Sequence, residues 1–312
     1  MASNTTAPDD NEVEHEFGLV RVYKSGRVVR PFVSPPAAAG LDPATGVDSK
    51  DVHLGDYSAR LYLPPSAAAA AAKLPVIVYV HGGGFVAESA ASPNGHRFLS
   101  SLTAACPAVA VSVEYRLAPE HPLPAAYDDC VAALRWVLSG ADPWIAAHGD
   151  LGRVFVAGDS AGANACHYLA IQPDAARLKG AVLIHPWFWG SEAVGEETRH
   201  PVARAMGGRL WMFACPGSSG LDDPRMNPLA PGAPGLETLA CERVMVCVAE
   251  GDHLRWRGRA YAQAVAAARG GDGQGVQLLE TEGEGHVFHL FKPECDKAKE
   301  MFHRIVAFVN AP

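Results

Sequence analysis

Six short, nearly unbroken apolar runs recur along the chain: Leu74–Val80, Ala108–Val113, Val154–Ala157, Ala181–Ile184, Val244–Ala249 and Val276–Leu279. Continuous runs of Val, Ile and Leu, without alternation, are what strands buried on both faces look like. Helical patterns separate them, at Ala126–Leu138, Ala163–Ile171, Trp256–Ala268 and Cys295–Val309. Strands alternating with helices imply an α/β fold with a mostly parallel central sheet flanked by helices. Weaker alternating patterns lie between residues 17 and 62, at Leu19–Tyr23, Val52–Leu54 and Ala59–Leu63. They are expected to form antiparallel strands at the sheet edge.

The chain has 312 residues, 48% hydrophobic and 19% charged, enough for a substantial core and unlike disordered, collagen-like or coiled-coil sequences. A single α/β domain accommodates this length. The net charge is −8 and no run of Lys or Arg exceeds a pair, so nucleic acid is not an expected partner. The longest apolar stretches, Leu74–Val80 and Gly180–Phe188, are too short to cross a bilayer. The first sixteen residues contain no apolar core of a secretory signal and read as too acidic for a transit peptide. The seven cysteines are scattered and form no C-x-x-C pair, the pattern of reduced, buried thiols. A cytoplasmic location is the expectation from these features.

Two segments interrupt the rhythm. Ser66–Ala72, with six consecutive alanines, reads as a surface loop. Trp187–Leu239, rich in Gly, Pro and Trp, is too long for a structureless loop and is expected to form a cap with short helices of its own. Its aromatic residues Trp187, Phe188, Trp189 and Trp211, with Phe213, either line a pocket or close the core of that cap.

The chemistry concentrates at strand ends. Val154–Asp159 runs into Gly158-Asp159-Ser160-Ala161-Gly162, a G-x-S-x-G sequence with a strand before it and a helix after it. Such a turn lifts a serine hydroxyl above the sheet. Side chains at positions 158 and 162 would collide with neighbouring backbone. The following helix N-terminus directs the Ala161 N–H and a positive dipole end at a developing oxyanion. His81-Gly82-Gly83-Gly84-Phe85 follows the strand Leu74–Val80 directly. Its position upstream of the serine turn matches an oxyanion loop, with the N–H groups of Gly83 and Gly84 as donors.

A serine nucleophile needs a base, and the base an orienting acid, in the chain order Ser, acid, His. Val244–Ala249 ends in Glu250-Gly251-Asp252, and the last strand is followed by Gly285-His286-Val287-Phe288. Asp252 and His286 are assigned, with Glu250 and His289 as rivals. Asp159 reads as structural, since the residue beside such a serine points away from it. His286-x-x-His289 has no third metal ligand placed near it and H-E-x-x-H is absent, so no metal is expected. Gly271–Gly275 precedes a strand where a dinucleotide fingerprint would follow one, and no phosphate-binding G-x-x-x-x-G-K-[ST] occurs. No cofactor is expected.

With these residues in place, the chain resembles the plant carboxylesterases of the hormone-sensitive-lipase-like branch of α/β-hydrolases. The likeness extends through Asp42–Val52, Arg60–Pro64, Tyr115–Asp128, Ala249–Leu254 and Gly285–Phe288. It implies an α/β-hydrolase fold, a small-molecule ester substrate, and a serine carboxylesterase mechanism through an acyl-enzyme. It also implies that Tyr115–Glu120 braces the oxyanion loop, and that residues before about 45 join the 187–239 insertion as a cap. Two relatives in the same branch define the alternatives. Gibberellin receptors lack the catalytic histidine, whereas His286 is present here. Hydroxyisoflavanone dehydratases carry threonine at the nucleophile position, where this chain has Ser160. Ala163 stands where the family usually has glycine. Oligomeric state and the identity of the ester are not legible in the sequence.

Overall fold

In the strand Leu74–Val80, Val76, Val78 and Val80 pack into one hydrophobic cluster, while Ile77 and Tyr79 enter a second on the opposite face. That division runs through the inner strands of the sheet and explains their unbroken apolar runs: both faces are covered, so both sets of side chains are apolar. The computed structural model describes residues 11–271 and 275–311. Residues 1–10 of the expected cap, and positions 272–274 of the glycine turn, lie outside the described residues.

The elements in chain order begin with β1 (Val13–Glu16), β2 (Arg21–Tyr23), β3 (Val28–Val29), β4 (Asp48–His53), β5 (Ser58–Leu63) and β6 (Leu74–Val80). There follow α1 (Pro93–Ala105), β7 (Val109–Glu114), α2 (Ala125–Ser139), α3 (Pro143–His148), β8 (Gly149–Asp159), α4 (Ala161–Ala170) and β9 (Leu178–Ile184). The chain closes with α5 (Pro201–Ala214), β10 (Arg243–Ala249), α6 (Arg255–Ala268), β11 (Val276–Thr281), α7 (Phe288–Phe291) and α8 (Asp296–Asn310).

Eight strands form the central sheet in the order β11-β10-β9-β8-β6-β7-β5-β4. From β11 to β7 every pairing is parallel, and β5 and β4 add antiparallel at the far edge. On one face lie α1 and α8, through Phe98, Leu102, Met301 and Ile305. On the other lie α2, α4 and α6, through Tyr127, Leu134, Leu169 and Tyr261. This is the α/β-hydrolase architecture that the sequence led us to expect.

The edge expectation holds for β4 and β5 but not for Leu19–Tyr23. Those residues belong to a separate three-stranded sheet, β1-β2-β3. The alternation Leu19 to Tyr23 shows one covered face, but it cannot say which surface covers it. Here Val20 and Val22 bury into the helical side of the main core. The alanine run is a short 3-10 turn over Pro65–Ala69 in which Ala67 is buried. All seven cysteines are free, six of them buried. No helix among the described residues is long and apolar enough to cross a membrane.

Candidate active site

The carboxyl ends of the six parallel strands converge on one place, which is where ligands bind in open α/β sheets. The turn after β8 carries Ser160, whose backbone sits at φ +53° and ψ −116°. A non-glycine residue stays in such a conformation only where its surroundings hold it. Those surroundings are the bond from the Ser160 N–H to the Ile184 carbonyl and the bonds that its own carbonyl accepts from the N–H groups of Asn164 and Trp187. A Cβ at Gly162 would stand 2.0 Å from the Val80 carbonyl oxygen, and one at Gly158 2.6 Å from the same atom. These two glycines let the turn press against the end of β6.

The loop after β11 brings His286 over the serine, with Nε2 2.9 Å from Ser160 Oγ. Its Nδ1 lies 2.6 Å from Asp252 Oδ2, on the turn after β10. The other Asp252 oxygen accepts the Leu254 N–H at 2.9 Å, and the carboxylate is buried. Burial pulls the His286 pKa down, but the charge and hydrogen bond of Asp252, with a contribution from Asp159, outweigh it and leave the imidazole above its ordinary 6.5. Burial likewise raises Asp252, and the facing His286 overcomes that to hold it below 3.8. The rivals are placed elsewhere. Glu250 is exposed and accepts the Gly283 N–H. His289 is buried against Phe98.

The glycine loop after β6 forms the facing wall. The Tyr115 hydroxyl donates to the carbonyls of His81 at 2.8 Å and Gly82 at 3.1 Å, and its ring stacks on His81 with centroids 4.2 Å apart. Burial holds His81 near a pKa of about 4, so it is neutral at physiological pH. Asp159 fastens the same loop from the other side, accepting from the Gly82 N–H and the Tyr79 hydroxyl. Gly83 turns at φ +99°, where a Cβ would meet the Ala87 carbonyl oxygen at 2.2 Å. Its N–H and that of Gly84 donate no hydrogen bond among the described residues. Both glycines border the same cavity as Ser160. Ala161 is the first residue of α4, where an N–H has no partner within the helix.

One contributor carried no signal in the motif analysis. His185, at φ +48° after β9, accepts the Val287 N–H on Nδ1 at 2.7 Å and so supports the loop holding His286. Burial presses its pKa down to about 3, which keeps Nδ1 unprotonated and able to accept. Its position at the end of a parallel strand was the only cue. His185, Asp252 and His286 each offer one ligating atom within 4.8 Å of the others. All three side chains are engaged: His286 by Asp252 and Ser160, His185 by Val287.

A cavity of about 460 Å³ opens above Ser160. Phe17 and Leu19 from the N-terminal segment, and Met206 and Leu210 from α5, form its apolar side. Of the five aromatics of the 187–239 insertion named above, Trp187 alone borders this cavity. Phe188 packs on Tyr261, Trp211 on Trp187, and Phe213 on Phe17. Ala163 is buried within α4.

A strand-embedded serine turn, a histidine over it and a mostly parallel eight-stranded sheet define a hydrolase, and residues 77–290 match the family model described as alpha/beta hydrolase fold. The chain belongs to the α/β-hydrolase family, in its hormone-sensitive-lipase-like plant carboxylesterase branch. It is 43% identical to the chloroplastic tuliposide A-converting enzyme 2 of Tulipa gesneriana, over 99% of this chain and 82% of that one. It is 41% identical to the probable carboxylesterase 2 of Arabidopsis thaliana over 93% of both chains. The 2-hydroxyisoflavanone dehydratase of Glycyrrhiza echinata is also 41% identical, over 99% of this chain and all of that one. Among solved structures, a thermostable carboxylesterase cloned from a metagenomic library superposes with a TM-score of 0.69 at 30% identity, covering 84% of this chain and 88% of that one. The protein is a carboxylic ester hydrolase.

The cytoplasmic expectation is corrected by these relatives. Several tulip proteins 43% identical over 99% of this chain bear chloroplastic or amyloplastic names. A compartment is set by an address that a receptor reads, and neither the folded domain nor a lack of secretory character reveals it.

Proposed function

We propose that this chain hydrolyses small carboxylic esters through an acyl-enzyme on Ser160. The observation that carries this reading is the continuous relay from Asp252 through His286 to Ser160, at 2.6 and 2.9 Å. His286 Nε2 takes the hydroxyl proton as Oγ attacks the ester carbonyl carbon. Asp252 fixes the tautomer that leaves Nε2 free to accept, and it stabilises the imidazolium that forms. The N–H groups of Gly83, Gly84 and Ala161 receive the negative charge that develops on the carbonyl oxygen. Each such donor contributes roughly 10²–10³ in kcat. His286 then returns the proton to the departing alcohol, the C–O bond breaks, and the acyl group remains on Ser160. Water gives a proton to His286 as its oxygen attacks the acyl carbon; the bond to Ser160 Oγ then breaks, His286 returns the proton to Oγ, and the acid leaves. His81, Gly82, Gly158, Asp159 and Gly162 support the machinery without touching the reacting atoms.

In this reading the N-terminal segment to about residue 45 and the 187–239 insertion act together as the cap. Phe17, Leu19, Met206 and Leu210 supply its contact with substrate. The tulip relatives' names point to a plastid as the setting. A second chemistry on the same frame, dehydration, is kept in view by the 41% identity to the Glycyrrhiza enzyme.

The test is turnover of p-nitrophenyl acetate and butyrate by the purified protein beside Ser160→Ala and His286→Ala. Hydrolysis lost by several orders of magnitude in both variants supports the reading. Equal rates in all three proteins refute it.

A further inference from the structure

Among the described residues, the non-glycine residues with positive φ are Phe85, Glu88, Ser160, His185 and Val287. Ser160 belongs to the nucleophile turn, and His185 and Val287 are bonded to each other beside His286. Phe85 and Glu88 remain, both on the loop that follows the glycines. Backbone of this kind persists only where the surrounding structure holds it, and it clusters at active sites and ligand clamps.

Glu88 sits at φ +69° between two tethers. Ahead of it, the Val86 and Ala87 N–H groups bond to the Gly83 carbonyl, and Arg30 Nε donates to the Val86 carbonyl at 2.6 Å. Behind it, the Ala90 N–H bonds to Glu114 at 2.6 Å and the Ser89 N–H to Ser92. The side chain so held is half-buried and borders the cavity that contains Ser160. Its carboxylate takes part in no hydrogen bond and no ion pair among the described residues. Among the described residues no Lys or Arg borders the cavity, and the other acid there, Asp159, is already bonded to Tyr79 and Gly82. Beside Glu88 stand Ser89, Ser92 and Asn94, uncharged polar groups on the same wall. Phe17, Leu19, Met206 and Leu210 give the same cavity an apolar surface.

We infer that Glu88 is a specificity-determining residue: its carboxylate accepts hydrogen bonds from hydroxyl groups on one half of the ester and repels substrates carrying a negative charge there. The preferred substrate class is an uncharged ester with a hydroxylated half along Glu88–Asn94 and an apolar half under the cap. A partly desolvated carboxylate without a partner is costly unless ligand donors complete it, and bonds to a charged acceptor are the strong ones. The inference rests on the esterase reading above.

The experiment compares kcat/KM for glycerol monobutyrate, ethyl butyrate and the anionic butyryloxyacetate, three butyrate esters that differ only in the alcohol half, in wild type, Glu88→Gln and Glu88→Gly. Glycine suits the left-handed backbone at this position and glutamine preserves the side-chain shape. Ratios between substrates are taken within each variant, so a general loss of active protein cancels. The expected result is that glycerol monobutyrate loses about tenfold relative to ethyl butyrate in Glu88→Gly. Butyryloxyacetate gains by a similar factor in both variants, since each removes the charge. Unchanged ratios in both variants, with ethyl butyrate still hydrolysed by the wild type, overturn the inference and leave the esterase reading standing. Absence of turnover of all three esters by the wild type overturns both.

Discussion

Asp159 Oδ1 accepts the Gly82 N–H at 3.2 Å and the Tyr79 hydroxyl at 2.7 Å, which ties the residue before the nucleophile to the glycine loop 77 positions earlier. The two halves of the proposed machinery are therefore set relative to each other by one buried carboxylate. Removing it in Asp159→Ala strands both donors, and kcat is expected to fall about 10²-fold, the scale of losing one oxyanion donor. Asp159→Asn keeps an acceptor oxygen and is expected to recover most of that loss in a p-nitrophenyl butyrate assay. Burial pushes the Asp159 pKa up to about 6 from 3.8. An acid raised on folding is a penalty that grows as pH climbs from 3.8 to about 6 and is constant above. Urea unfolding of Asp159→Asn should lack that portion of the pH dependence.

The His286 pKa predicts the acid limb of the rate profile. The base must be neutral, and Asp252 raises the imidazole above 6.5 against the opposing effect of burial. kcat/KM is expected to rise with pH through a midpoint above 6.5. In Asp252→Asn burial acts without its counterweight, so the midpoint moves to lower pH while the plateau drops by about 10⁴. For stability the sign is the reverse of an acid's. A histidine raised on folding stabilises below 6.5, and that contribution disappears as pH rises through the folded pKa. A pH series of both rate and melting temperature checks the two statements together.

Steric closeness at the serine turn gives a sharper contrast. A methyl at Gly162 would lie 2.0 Å from the Val80 carbonyl oxygen, a backbone atom that has no rotamer to yield. Gly162→Ala is expected to give little soluble protein or to abolish activity. Ala163, the next residue, is buried in α4, and Ala163→Gly is expected to cost only about 0.5–1 kcal/mol of helix stability. Soluble yield and esterase rate of the two variants, side by side, separate these outcomes.

The insertion is held to the body by a buried charge cluster. Glu197 is 1% exposed and receives Arg257 from α6 at 2.7 Å and Arg204 from α5 at 2.8 Å. Glu197→Ala leaves two arginines without their partner, and a loss of about 3–5 kcal/mol is expected in chemical denaturation. A change below about 1 kcal/mol would mean that the cluster does not brace the insertion.

The central sheet was legible because strands buried on both faces write themselves as Val-rich runs, and the candidate site was legible because each residue assigned to it lies on a turn or loop that follows one of those runs. Ser160, Asp252 and His286 all follow a parallel strand, and the structure brings them within hydrogen-bond distance. What escaped had no such signature. Helix α1 opens Pro93-Asn94-Gly95, two helix-breaking residue types within its first turn, and α5 hides inside a stretch dense in glycine and proline. The placement of Leu19–Tyr23 depends on which surface covers an ordinary strand pattern, a tertiary fact. His185 and Glu88 act through backbone geometry and proximity, neither of which has a sequence motif.

The most direct measurement of the central claim is intact-mass analysis of the protein after incubation with diethyl p-nitrophenyl phosphate. A serine activated by His286 attacks phosphorus and retains a diethylphosphoryl group. The account predicts one adduct per chain, mapped by peptide digestion to Ser160, absent in Ser160→Ala and strongly slowed in His286→Ala. Wild-type protein that stays unlabelled, or that is labelled at another residue, would contradict it.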